Sequence, residues 1–135
     1  MRAVLDANVL ISAVLSPRGT PARLLLMWQA GAFEVVVSPQ LLAELRRALA
    51  YPKLQRLVTA ADADAYLAWL ERSAEVAADP AEAPPVRSKD PGDDYLIALA
   101  AAERAVIVSG DVHLTSLAPA VPVRTPAEFL AELGV

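Results

Sequence analysis

Short apolar runs alternate with stretches of helical periodicity along the whole chain, and most changes of period carry a cap residue, a proline or a glycine. Ala3-Val4-Leu5 is an apolar run of the kind found in strands buried on both faces, and Asp6-Ala7-Asn8 breaks it, so a first strand is predicted to end at Asp6. After Ser16-Pro17-Arg18-Gly19, Thr20 and Pro21 read as cap and first helical residue of a helix over about 21–30, stopped by Gly31. Phe33-Glu34-Val35-Val36-Val37 is apolar and β-branched and predicts a second strand. Ser38-Pro39 then opens a helix with Leu41, Leu42, Leu45 and Leu49 at helical spacing, and Tyr51-Pro52 closes it.

Thr59 is predicted to cap a helix running to about Val76, with Ala63, Tyr66, Leu67 and Leu70 on its inner face. Residues 78–92 contain Pro80, Pro84, Pro85, Pro91 and Gly92 and read as a surface connection. Asp93 and Asp94 open a helix over Tyr95 to Arg104, where acids are favoured by the helix dipole. A third strand over Ala105–Ser109 ends at Gly110-Asp111, a last strand lies near Val121–Val123, and a final helix capped by Thr125-Pro126 ends at Gly134. Strands alternating with helices predict an α/β fold, a three-layer α/β/α sandwich around a central parallel sheet, in one domain spanning 1–135.

Ligands of such sheets lie beyond the carboxyl ends of the strands, where the strand order reverses. Asp6 and Asp111 both follow strand ends, and if those strands are neighbours their carboxylates share a crevice that Asp94 joins from the start of its helix. Glu44 lies in the helix after the second strand. Crowded carboxylates do not all ionise cheaply without a cation, so the pattern points to a hard divalent ion such as Mg²⁺ or Mn²⁺. With no cysteine and a single histidine, His113, a thiolate or zinc site is excluded and any metal must be held by oxygen.

At 135 residues the chain suits one core burying roughly two-thirds of its unfolded surface. No apolar run approaches the roughly 20 residues of a membrane span, and Asp6 interrupts the N-terminus before a signal-peptide core forms, so a cytoplasmic protein with no membrane contact is expected. A net charge of −4 argues against broad adhesion to nucleic acid but not against a nucleic-acid substrate, because bound metal offsets several acids. Arg18, Arg23, Arg46, Arg47, Lys53, Arg56, Arg87 and Lys89 are the cations available to a substrate rim.

The segments Val4 to Ser12, the helix containing Glu44, Asp93 to Ala98 and Val108 to Asp111 resemble the four acidic motifs of the PIN domain family, in the family's order and over nearly the whole chain. Within the family the chain is most similar to the single-domain, VapC-like proteins of toxin–antitoxin type, Mg²⁺- or Mn²⁺-dependent ribonucleases. The resemblance implies an endoribonuclease acting on single-stranded or looped RNA, a possible antitoxin partner and a homodimer. It implies catalytic and metal-binding roles for Asp6, Glu44, Asp94 and Asp111, with Asn8 and Ser109 hydrogen-bonding the acids or the substrate phosphate.

Asp93 and Asp94 are adjacent, so they point about 100° apart on a helix and do not face one metal equally. Ile97, Ala98 and Ala101 stand at i+3, i+4 and i+7 from Asp94. That stripe predicts that Asp94 faces the strand ends and Asp93 serves the dipole or a rim contact. Each acid also has a plain structural reading: Asp6, Asp90 and Asp111 as turn residues, Glu44 as a solvated helix position. His113 reads as a surface residue, and Trp28, Met27, Trp69 and Tyr66 as core or dimer contacts. Competing functions are a haloacid-dehalogenase-type phosphatase, which wants Asp-x-Asp where the chain has Asp6-Ala7-Asn8, a receiver domain, which wants an acidic pair at that point and a Lys after a late strand, and a catalytically inactive RNA-binding or scaffold protein.

Overall fold

The structure, a computed structural model, describes residues 1–134. Its strands are β1 (Arg2–Leu5), β2 (Glu34–Val37), β3 (Glu75–Val76), β4 (Val106–Val108) and β5 (Val123–Arg124). Its α-helices are α1 (Ala7–Leu15), α2 (Thr20–Gln29), α3 (Pro39–Leu49), α4 (Pro52–Gln55), α5 (Ala60–Ser73), α6 (Asp94–Glu103), α7 (Val112–Thr115) and α8 (Pro126–Glu132), with a 3₁₀ turn over Pro91–Asp93.

All strand pairings are parallel, in the order β3-β2-β1-β4-β5. The chain therefore moves one way from β1 through β2 to β3, then returns to the other side of β1 for β4 and β5, and the order reverses between β1 and β4. Leu5 stands in register with Val108 at that switch. The sheet is sealed by side chains with no measurable exposure, among them Leu5, Leu10, Leu24, Leu45, Leu99, Ile107 and Phe129. Each such side chain contributes about 1.5–3 kcal/mol relative to an exposed one.

The caps predicted at Ser38, Thr59 and Thr125 form, whereas Thr20 caps nothing: α2 begins at Thr20 itself, preceded by Gly19, with no side-chain cap bond. Ser38 accepts a hydrogen bond from the Leu41 N–H at 3.2 Å, Thr59 accepts from Asp62 at 3.1 Å, and Thr125 with Glu128 makes a reciprocal capping box. Other expectations change. Asp6-Ala7-Asn8 is not a turn but the start of α1, because Asp6 caps it by accepting from the Val9 N–H at 2.9 Å. Ala7, Val9, Leu10, Ile11 and Ala13 are all buried, and the polar side of α1 is only Asn8 and Ser12, too narrow to mark a helical period in the sequence.

The helix expected to reach Val76 stops at Ser73, where Ala74 turns to extended backbone and Glu75–Val76 pairs beside β2. An edge of two residues has no periodicity to read, and it exists because the Ala77 N–H donates to Val37 O at 2.8 Å. Trp28, Trp69 and Tyr66 pack on one another, with ring centroids 5.0 Å apart for the tryptophans and 6.0 Å for Tyr66 and Trp69, and the Tyr66 hydroxyl donates to Leu10 O. These aromatics are intramolecular contacts.

Candidate metal centre at the carboxyl ends of the strands

β1 delivers Asp6 and β4 delivers Ser109 and Asp111 to one edge of the sheet, as neighbouring strands must at the switch point. Asp6 is buried, at 5% exposure, and Ser109 is fully buried. The Ser109 hydroxyl donates to Asp6 Oδ2 and accepts the Asp111 N–H at 3.0 Å, so a single serine ties the two strand ends together. Asp111 caps α7, accepting from the His113 N–H at 2.8 Å. Glu44 reaches the same edge from the second turn of α3, where its carboxylate accepts the Tyr95 hydroxyl.

The two adjacent acids differ in their contacts. The Asp94 carboxylate turns to the preceding loop and accepts the Ser88 N–H at 2.9 Å. Asp93 instead faces the crevice: its carboxyl is pushed up to about 6, first by burial and then by the charges of Asp111, Asp90, Asp6 and Glu44. The stripe used to phase this helix misleads because Leu96 through Ala100 are all buried while Ala101 is exposed. A helix start buried nearly all round has no stripe to phase it by.

Asp6 is also raised above the ordinary aspartate range. Burial is the main cause, opposed by the Ser109 and Val9 hydrogen bonds and reinforced by Asp111 and Glu44. Asp6 therefore stands in the field of Asp111 and Glu44, and Asp93 in the field of Asp111, Asp90, Asp6 and Glu44.

Among the described residues the ion pairs are made by Arg2, Arg46 and Arg124, and none reaches these acids. Arg46 is held by Asp64 at 3.3 Å and, with Arg47, lines a separate groove of about 680 Å³ beside Leu42, Glu71 and Val76. Asn8 is exposed on the first turn of α1 and makes no hydrogen bond to the acids. His113 is exposed, and Asp90 closes a local turn by accepting the Gly92 N–H at 3.0 Å.

The donor set is all carboxylate and hydroxyl oxygen, the chemistry a hard divalent cation takes. Asp6, Glu44 and Asp111 each have a protein donor, whereas Asp93 Oδ2 is buried without a hydrogen-bond partner. That orphaned oxygen suits a cation, because a buried acceptor without a donor is costly. The acids share one field without closing on one point: among the described residues no three acidic or histidine side chains converge as a finished ligand cage.

A family model described as PIN domain matches residues 2–113. The chain belongs to the PIN domain family. Two solved structures share its fold across 93% of this chain and 98% of theirs: VapBC2 from Rickettsia felis bound to a DNA fragment from their promoter, at 16% identity and a TM-score of 0.63, and FitAcB from Neisseria gonorrhoeae, at 20% identity and 0.59. No curated protein matches the sequence. In this PIN domain no helix among the described residues is long and apolar enough to cross a membrane.

Proposed function

We propose that this PIN domain is a Mg²⁺- or Mn²⁺-dependent endoribonuclease and the toxin of a toxin–antitoxin pair. The observation that supports it best is the buried, unpartnered Asp93 oxygen among Asp6, Glu44 and Asp111, with no basic side chain paired to any of them. Asp6, Glu44, Asp93 and Asp111 would hold the ion. Asp94 would instead anchor the loop at Ser88.

A divalent ion bound there supplies an acidified water and offsets the charge that builds on the phosphate oxygens during phosphodiester hydrolysis. The protein does the rest by orientation. Ser109 fixes the Asp6 carboxylate through one oxygen while the Val9 N–H holds the other, so this acid does not rotate away from the strand end. Asn8, exposed two residues after Asp6, would donate to a substrate phosphate from the rim.

Purified protein should cut single-stranded RNA with Mg²⁺ or Mn²⁺ and leave it intact in EDTA; equal cutting in chelator would overturn the metal mechanism. A homodimer and an antitoxin partner complete the proposal, and the VapBC2 assembly on promoter DNA supports a paired role. Light scattering at tens of micromolar, the range in which modest interfaces associate, tests the dimer. A monomer there would remove that part.

A further inference from the structure

Three consecutive residues at the start of α6 reach three different places. Asp93 faces the crevice, Asp94 holds Ser88 of the loop, and Tyr95 donates its hydroxyl to the Glu44 carboxylate on α3. Successive positions about 100° apart make this possible, since each side chain leaves the helix start in its own direction. α3 packs chiefly on α1 and α5, and α6 on β1 and β4. The Tyr95–Glu44 bond therefore joins two helices whose main packing partners differ.

Resting on the metal-dependent reading above, we propose that Tyr95 is a positioning residue for the ion: its hydroxyl fixes the Glu44 carboxylate so that the remaining oxygen faces Asp6, Asp93 and Asp111. A carboxylate offers about four lone-pair sites, and Tyr95 occupies one on Oε2, leaving the others for a cation. Glu44 needs such a tether more than its neighbours do. Asp6 and Asp111 are short side chains held by backbone N–H groups within their own caps. Glu44 sits in mid-helix on a longer, part-exposed chain, and its one hydrogen bond comes from Tyr95. Tyr95 is itself half-buried and packed on the core, so its hydroxyl is delivered from a fixed ring.

The test is a double-mutant cycle read by Mn²⁺ affinity, measured by electron paramagnetic resonance of free Mn²⁺, with no RNA present. Tyr95→Phe keeps the ring and should weaken Mn²⁺ binding about 10- to 100-fold, the usual cost of losing an outer partner of a metal ligand. In a Glu44→Gln background the same change should cost nothing further, because the carboxylate it orients is gone. A general packing loss would persist in that background, so an equal weakening there overturns the role. Wild-type affinity in Tyr95→Phe overturns it as well and leaves the nuclease reading standing. Wild-type protein that neither binds Mn²⁺ nor cuts RNA removes both.

Discussion

Both ends of β1 gather carboxylates, and the two gatherings are built differently. At the amino end Arg2 lies among Glu34, Glu75 and Glu103, with N···O distances of 3.7, 2.8 and 2.9 Å. The guanidinium is raised further by these acids, chiefly by its hydrogen bond to Glu75. At the carboxyl end Asp6, Glu44, Asp93 and Asp111 have no paired cation among the described residues, and two of them are pushed above their ordinary range. One cluster carries its counter-charge in the chain. The other has no such counter-charge among the described residues, and this difference supports placing the proposed chemistry there.

The largest effect expected separates the adjacent acids at the second cluster. Asp93→Asn should lose metal-dependent RNA cleavage by more than the about 100-fold that loss of an outer partner costs, because it removes the unpartnered oxygen. Asp94→Asn should keep a substantial fraction, since an asparagine oxygen still accepts the Ser88 N–H. Cleavage assays on both variants, with folding checked by circular dichroism, decide it; the reverse order would return Asp94 to the site.

Next in size is the response to metal. Mn²⁺ at a hundred times its Kd should stabilise the folded protein by about 2.7 kcal/mol, seen as a raised melting temperature. Asp6→Asn should raise the metal-free melting temperature and blunt that response. Asparagine caps α1 as well as aspartate does, so the change removes charge without unpinning the helix. A melting temperature indifferent to Mn²⁺ would erase the contrast between the two ends.

A smaller effect follows from proton binding at Asp93. Between the ordinary value of 3.8 and about 6 the folded state holds a proton that the unfolded chain has released. Metal-free stability should therefore fall as pH rises through that window, and Asp6 acts in the same direction. Asp93 is part-exposed, so the difference between wild type and Asp93→Asn should change by about 1 kcal/mol at most from pH 5 to pH 7.5. Thermal melts of both proteins at the two pH values measure it, and a parallel pH course would show that Asp93 does not sense the other acids.

The smallest effect belongs to the other end. Arg2→Met should lower the melting temperature slightly, more in low salt than in high, as screening of exposed charge requires. Its Mn²⁺ response should match wild type. A lost response would mean that the two clusters are coupled through β1.

Much of this protein is determined by sequence acting at short range. The alternation of strands and helices, the caps at Ser38, Thr59 and Thr125, and the arrival of Asp6 and Asp111 at strand ends follow from periods and hydrogen bonds spanning only a few residues. Tertiary structure decided what local rules leave open. It made Asp6 a helix cap by packing most of α1 into the core, and it drew Glu75–Val76 out of a helical stretch because β2 offered an edge. It also bound Asp94 to the Ser88 N–H while burying Asp93 Oδ2 without a partner, and brought Tyr95 to Glu44 across 51 residues of chain. A helix buried all round carries no stripe, so its rotation is set by packing against the sheet, and with it the choice of which acid meets the others.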